Sequence, residues 1–225
     1  MTPLIRSMLA ALCALAIMPA AASAATTLQP GAYHETDAGS CTLNFVYTAG
    51  TTTYLGTAAH CVERIGQRVR DIENVEFGSV AYIGDADVTE WDFAFIQVDP
   101  EDLARVSPAV KGWPAYPKGH TVPSDTLLGD SIQLSGYGLG YDTTKTTQEQ
   151  RTAVFAFDDT ELYAVDGPIH WGDSGGPLVH KRTGKALGIV SRLCVGTCTE
   201  EGPTVQGILA KSAIDFVPVA LKTVP

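Results

Sequence analysis

Short runs of β-branched and aromatic residues, separated by glycine, proline and other turn formers, recur along the chain from Cys41 onward. Runs of this length and composition are typical of β-strands. No long amphipathic helical pattern lies between them, which argues against parallel βαβ units and predicts an antiparallel, all-β fold. The predicted strands are Cys41–Thr48, Thr52–Thr57, Val75–Ile83, Asp92–Val98, Ser131–Gly136, Thr152–Phe157, Glu161–Val165, Pro177–His180, Ala186–Ser191 and Thr204–Leu209.

Turn residues divide this pattern into two halves of nearly equal size. The segment Val110–Asp125 holds three prolines and two glycines and is interpreted as the connection between the halves. In the second half, His180–Lys185 predicts a hairpin in which Gly184 can take a positive φ. The tail Ala210–Lys222 has apolar residues at helical spacing and predicts a short C-terminal helix.

The N-terminus has the pattern of a secretory signal peptide. Arg6 precedes the apolar run Met8–Met18, which ends in the small residues Ala22-Ser23-Ala24. The apolar run is too short for a stable transmembrane span. We therefore expect cleavage after Ala24, residues 25–225 as the mature domain, and export to the extracellular space, with the periplasm as the alternative compartment.

The charge of the chain limits its partners. Removing residues 1–24, which hold one arginine and no acidic residue, changes the net charge from −10 to −11. A strongly acidic protein is repelled by phosphate backbones and anionic lipid surfaces. We expect no nucleic-acid partner and no membrane anchor.

Cysteine usage favours disulfides. Cys13 lies in the predicted signal peptide, which leaves Cys41, Cys61, Cys194 and Cys198. An even number in an exported chain indicates disulfide bonds. Three pairings are possible, and proximity in sequence favours pairing the first two and the last two. A zinc site is the competing interpretation, although neither pair has C-x-x-C spacing.

Three segments carry side chains that could act together in acyl transfer: TAAHC at 57–61, WD at 91–92 and GDSGGP at 172–177. A serine hydroxyl needs an imidazole to take its proton, and the imidazole needs a carboxylate to hold it. Backbone N–H groups must face the developing oxyanion, and glycines beside a serine permit such a turn. Taken singly, the segments could also be a core histidine, a strand-entry acid and a tight turn.

Together, the order His60, Asp92 and Ser174 within these motifs resembles the trypsin-like (chymotrypsin-fold) serine peptidases. The resemblance covers about residues 38–217. It implies that His60 is the general base and then the acid, that Asp92 orients it, and that Ser174 is the nucleophile. The N–H groups of Gly172 and Ser174 would form the oxyanion hole. The implied fold is two packed antiparallel β-barrels, about 38–118 and 119–212, followed by a helix at about 210–222.

The same resemblance assigns structural roles. Cys41 and Cys61 match the disulfide beside the catalytic histidine, and Ser191 is expected near the catalytic acid. Asp173 would be the buried acid that shapes the nucleophile turn. Many members hold that acid with the ammonium of an Ile-Val-Gly-Gly terminus. Because residues 25–41 contain no such motif, we expect an internal partner for Asp173, with Arg151 as the candidate.

The resemblance also places a substrate pocket. Its residues would be Pro168, Ile169, His170, Ser191, Arg192 and Leu193. Pro168 supplies no carboxylate, so cleavage after lysine or arginine is not expected, and Leu193 would narrow the entrance. We predict cleavage after small or medium apolar residues. Arg192 and His170 leave an acidic preference as the alternative, although Val190 stands where glutamate-specific relatives have a histidine.

We therefore expect a secreted serine endopeptidase that needs no cofactor or metal, works as a monomer and acts on peptide or protein substrates. One competing interpretation is a secreted binding protein on the same fold, silenced by a blocked pocket. Another is a hydrolase that prefers esters to amides.

Overall fold

The computed structural model describes residues 25–225 except 86, 88–90, 122–124, 126, 139–148, 159–161, 167–168, 195–203 and 210–218, and describes the backbone alone for 149–151, 153, 155–158, 162–166, 192–194 and 204–209. The described chain is all-β, as predicted. Its strands are β1 Tyr33–Thr36, β2 Gly39–Thr42, β3 Val46–Ala49, β4 Thr52–Thr57, β5 Arg68–Arg70, β6 Glu76–Ile83, β7 Ala94–Val98, β8 Ser131–Gly136, β9 Glu149–Asp158, β10 Leu162–Asp166, β11 Pro177–His180, β12 Lys185–Cys194, β13 Thr204–Leu209 and β14 Ala220–Leu221. Two 3₁₀ helices, Ala59–Cys61 and Pro100–Arg105, interrupt the first half.

The seven strands of the first half and the C-terminal strand β14 form an eight-stranded antiparallel sheet. Its order is β14-β3-β4-β7-β6-β5-β1-β2. Its interior contains a cluster of buried aromatic rings, which includes Phe45, Tyr47, Phe77 and Phe95. Tyr47 and Phe95 meet edge to face, with ring centroids 4.9 Å apart. Such rings bury a large apolar area each, so they hold this half together.

The second half closes into a six-stranded barrel with the order β10-β13-β12-β11-β8-β9. The predicted hairpin between β11 and β12 is confirmed, with His180 opposite Lys185 and Gly184 at φ 69°. Within the part of the chain that is described, no helix is long and apolar enough to cross a membrane.

Most predicted strands are confirmed within a few residues, and the differences have local causes. The predicted strand Cys41–Thr48 is two strands, because the chain changes partner within it: β2 pairs with β1, whereas β3 pairs with β4 and β14. Between the two, the buried Asn44 side chain donates to the carbonyl oxygen of Gly175 at 3.0 Å. The tail was predicted to be helical over about 210–222. Its residues 210–218 lie outside the described part, and Ala220–Leu221 form a strand against β3.

Two histidines lie in the interior, although the sequence gives no sign of it. His34 and His180 are fully buried, whereas His120 is exposed. The Nε2 atom of His180 lies 2.9 Å from Asp130 Oδ2, and its Nδ1 atom lies 2.9 Å from Thr183 Oγ1. These contacts tie the β11–β12 hairpin to the start of β8.

Candidate active site

The strand register brings two of the three chemical segments together. β4 and β7 are neighbours, with Thr57 opposite Ala94. His60 follows β4 in the 3₁₀ helix Ala59–Cys61, and Asp92 precedes β7. Residues separated by about thirty positions in sequence therefore meet at one end of the sheet.

The carboxylate of Asp92 holds the His60 ring. His60 Nδ1 lies 2.9 Å from Asp92 Oδ2, and the His60 amide donates to Asp92 Oδ1 at 3.0 Å. Asp92 is fully buried, whereas 38% of the His60 side chain is exposed. A third donor, the hydroxyl of Ser191, reaches Asp92 Oδ2 at 2.5 Å. With Nδ1 directed at the carboxylate, Nε2 is the imidazole nitrogen left to exchange a proton in the cleft.

The turn that carries Ser174 is fixed against the first half of the molecule. The Thr42 amide donates to the Ser174 carbonyl oxygen at 2.9 Å, and the Thr42 hydroxyl donates to the Gly172 carbonyl oxygen at 2.8 Å. From the barrel side, the Gly175 amide donates to the Val190 carbonyl oxygen at 2.7 Å. The backbone of the turn is thereby held between the two halves.

Glycine is required at position 175. Its φ is 83°, and a Cβ there would lie 2.4 Å from the Thr42 carbonyl oxygen and 2.5 Å from Thr57 Oγ1. A side chain would force the turn away from the strand end that carries His60.

Asp173 is fully buried between this turn and the end of β8. Its Oδ1 atom accepts the Gly138 amide at 2.8 Å, and Oδ2 accepts the His170 amide at 2.9 Å. A Cβ at Gly136 or Gly138 would fall within 2.4 Å of one of these oxygens. The two glycines thus form a close-fitting cradle for the carboxylate. The side chain of Arg151, the partner predicted from sequence, lies outside the described side chains.

A cleft of about 410 Å³ opens beside Ser174. It is lined by Ala38, Gly39, Ser40, Cys41, His60, Cys61, Trp171, Gly172 and Ser174. The imidazole, the serine and the turn residue Gly172 therefore face the same space. A substrate in the cleft can contact all three.

The predicted substrate pocket is described only in part. Ile169 is buried, whereas His170 is exposed and its amide is directed to Asp173. Ser191 is buried against Asp92, as expected. Pro168 and the side chains of Arg192 and Leu193 lie outside what the structure describes.

The predicted disulfide between Cys41 and Cys61 is present and closes a 20-residue separation in sequence. Among the described residues, His34, Cys41 and Cys61 are close enough together to suggest a metal site. Because the two sulfurs are bonded to each other, neither is a thiolate able to bind a metal. Cys198 and the side chain of Cys194 lie outside the described part.

Comparisons with known proteins show which family this chain resembles. The sequence profile described as trypsin-like peptidase domain matches residues 39–189, about two thirds of the chain. No curated protein matches the sequence significantly.

Three solved structures have a similar fold. Protease A of Thermobifida fusca has a TM-score of 0.66 at 20% identity, covering 88% of this chain and 100% of its own. A glutamic-acid-specific serine protease, described as binding substrate through a histidine triad, has a TM-score of 0.65 at 16% identity, covering 87% and 100%. Alpha-lytic protease homolog N4 has a TM-score of 0.61 at 20% identity, covering 88% and 100%.

Proposed function

Because the chain belongs to the trypsin-like peptidase domain family, we propose that it is a serine endopeptidase acting through Ser174, His60 and Asp92. The observation that carries the proposal is the hydrogen-bonded pair of His60 and Asp92 in the same cleft as Ser174. A held imidazole beside a serine is the arrangement that nucleophilic acyl transfer requires.

The reaction follows from the roles of these groups. Ser174 Oγ attacks the carbonyl carbon of the peptide bond while His60 Nε2 takes the hydroxyl proton. Asp92 keeps the ring in the tautomer that leaves Nε2 free and stabilises the imidazolium that forms. His60 then gives the proton to the leaving amine nitrogen, and water hydrolyses the acyl-enzyme by the reverse proton path.

The N–H groups of Gly172 and Ser174 would stabilise the oxyanion. Gly172 has φ 96°, and its carbonyl oxygen is tied to the Thr42 hydroxyl. A fixed turn keeps its donors in place before the charge develops, which is what makes such donors effective. Asp173 lies between Gly172 and Ser174 in the sequence. The Gly138 and His170 amides hold its carboxylate, which anchors the turn.

The proposed preference is for small or medium apolar residues before the cleaved bond. Buried Ile169 supports an apolar wall, and no carboxylate precedes it at Pro168. Cleavage after glutamate, the specificity named for one structural neighbour, is the less favoured candidate because Val190 in this chain is a buried apolar residue. We propose that the enzyme acts outside the cytoplasm, which the Cys41–Cys61 disulfide supports, and that it works as a monomer.

The experiment is digestion of a mixed peptide library with the purified protein, followed by mass spectrometry of the new termini. Ser174→Ala, prepared in parallel, is the matched control. We expect cleavage mainly after alanine, valine and leucine by the wild type and none by the variant. Equal cleavage by both proteins, or none by folded wild type, would overturn the proposed activity. Cleavage mainly after arginine or glutamate would overturn the specificity alone.

A further inference from the structure

Trp171 has a large apolar side chain that is exposed to solvent. It is 72% exposed, although the backbone on both sides is fixed. On one side, the His170 amide donates to Asp173 Oδ2 at 2.9 Å, and on the other, the Thr42 hydroxyl donates to the Gly172 carbonyl oxygen at 2.8 Å. Exposed aromatic residues on a rigid backbone are favoured in binding sites, because little entropy is lost when a ligand covers them.

Among the described residues that line the cleft beside Trp171, His60 is the only one with a titratable side chain. Cys41 and Cys61 are joined in the disulfide, and the Ser40 hydroxyl lies 2.6 Å from the Tyr33 hydroxyl. None of the nine lining residues is acidic, lysine or arginine. A charged side chain entering the cleft would lose hydration without meeting a carboxylate, lysine or arginine among these described residues.

The opposite wall of the cleft is a sheet edge. β2 is the last strand of the eight-stranded sheet, and its residues 39–41 line the cleft. A sheet edge can pair with an extended peptide through main-chain hydrogen bonds, which do not depend on the peptide's side chains. Discrimination between peptides is then left to the side chains that line the cleft, and Trp171 is the largest of those described.

The cleft lies on the leaving side of the proposed reaction. The residue before the cleaved bond belongs in the pocket proposed around Ile169 and Ser191. Neither of these residues lines the cleft, which is formed by β2, the disulfide, His60 and the turn before Ser174. The cleft is therefore the space open to the residues that follow the cleaved bond.

From these observations we infer that Trp171 sets a second specificity, for a bulky apolar side chain, aromatic above all, just after the cleaved bond. This inference rests on the proposed function, since it concerns the leaving side of the same reaction. Contact between two aromatic rings contributes about two- to tenfold in affinity.

Acyl transfer to added amines tests the inference. An acyl-enzyme is formed from the p-nitrophenyl ester of an N-acylated apolar amino acid, in the presence of phenylalaninamide or glycinamide. The amine nitrogen attacks the acyl carbon, the bond to Ser174 Oγ breaks, and the amine proton returns to Oγ through His60. The measured quantity is the ratio of amide product to hydrolysis product. Both amines react with the same acyl-enzyme. A substitution that changes the rate of acylation therefore affects the product ratios for phenylalaninamide and glycinamide equally, and the comparison of the two ratios is independent of it.

We expect the wild type to favour phenylalaninamide over glycinamide, and Trp171→Ala to lower that preference about two- to tenfold. Trp171→Phe should retain most of it. Leu128→Ala is the matched control, since Leu128 is 75% exposed and does not line the cleft. Equal preferences in wild type and Trp171→Ala would overturn the inference and leave the proposed function intact. Absence of any acyl-enzyme in the folded wild type would overturn both.

Discussion

The cradle around Asp173 gives a quantitative prediction for Gly138→Ala. The added Cβ would lie 2.4 Å from Asp173 Oδ2 and 2.8 Å from His170 Cβ. Gly138 has no positive φ, so the effect is steric rather than conformational. Contacts of a Cβ below 3.0 Å essentially do not occur, so the carboxylate must retreat by about 0.6 Å.

That displacement passes directly to the next residue, Ser174. Misplacing a reacting group or one oxyanion donor on this scale costs about 100-fold in rate. We therefore expect kcat for a peptide amide to fall about 100-fold, with a smaller change in KM. Crowding a filled interior also costs about 1–3 kcal/mol of stability, so Tm should fall by about 2–12 °C.

Gly78→Ala is the matched control for crowding. Gly78 lies in β6, in the half of the molecule that does not carry Ser174. A Cβ added there would lie 2.3 Å from the carbonyl oxygen of Gln97 in β7. We expect a comparable loss in Tm with kcat near that of the wild type. The assay is steady-state kinetics well below both unfolding transitions, with near-ultraviolet circular dichroism to verify the fold. The reasoning is refuted if folded Gly138→Ala keeps kcat within about threefold of the wild type.

Other changes have equally direct outcomes. Ser191→Ala removes a hydrogen bond to the Asp92 carboxylate worth about 1.5–3 kcal/mol, and we expect kcat to fall about tenfold; unchanged kcat would exclude a role for the hydroxyl in holding Asp92. Burial lowers the pKa of His34 from 6.5 to about 3, so the unfolded chain binds more protons between these values and stability falls as pH is lowered from 6.5. Urea unfolding should show the wild type losing about 1.4 kcal/mol per pH unit more than His34→Gln between pH 6 and 4, whereas parallel curves would contradict this. Replacing Cys41 and Cys61 together by alanine should lower the free energy of unfolding by about 3 kcal/mol for a loop of this size, and a loss below about 1 kcal/mol would show that the unfolded chain is already constrained.

The sequence predicts well what is encoded locally. Short β-branched and aromatic-rich runs between turn residues identify strands such as Thr52–Thr57 and Ser131–Gly136 with their observed bounds. The chemical residues His60, Asp92 and Ser174 lie in short motifs, so they can be found without the fold. The pairing of β4 with β7 brings two of them, His60 and Asp92, within hydrogen-bond distance.

Contacts between distant segments could not be predicted in this way. Thr42 and Asn44 hold the turn that carries Ser174 from about 130 positions away, and nothing in their own neighbourhood indicates it. The glycines on either side of Tyr137 are noticeable in the sequence because they occupy alternate positions. That pattern predicts only a turn, and the structure adds that the Asp173 carboxylate packs against these glycines. His34 lies in a short polar strand, and its burial follows from tertiary packing alone.

The central claim is that Ser174 is an activated nucleophile. Its most direct test is the intact mass of the purified protein before and after treatment with a fluorophosphonate, with Ser174→Ala treated in parallel. The account predicts a single adduct on the wild type, mapped to the peptide containing Ser174, and none on the variant. A folded wild type with the Cys41–Cys61 disulfide formed and no adduct, or an equal adduct on both proteins, would contradict it.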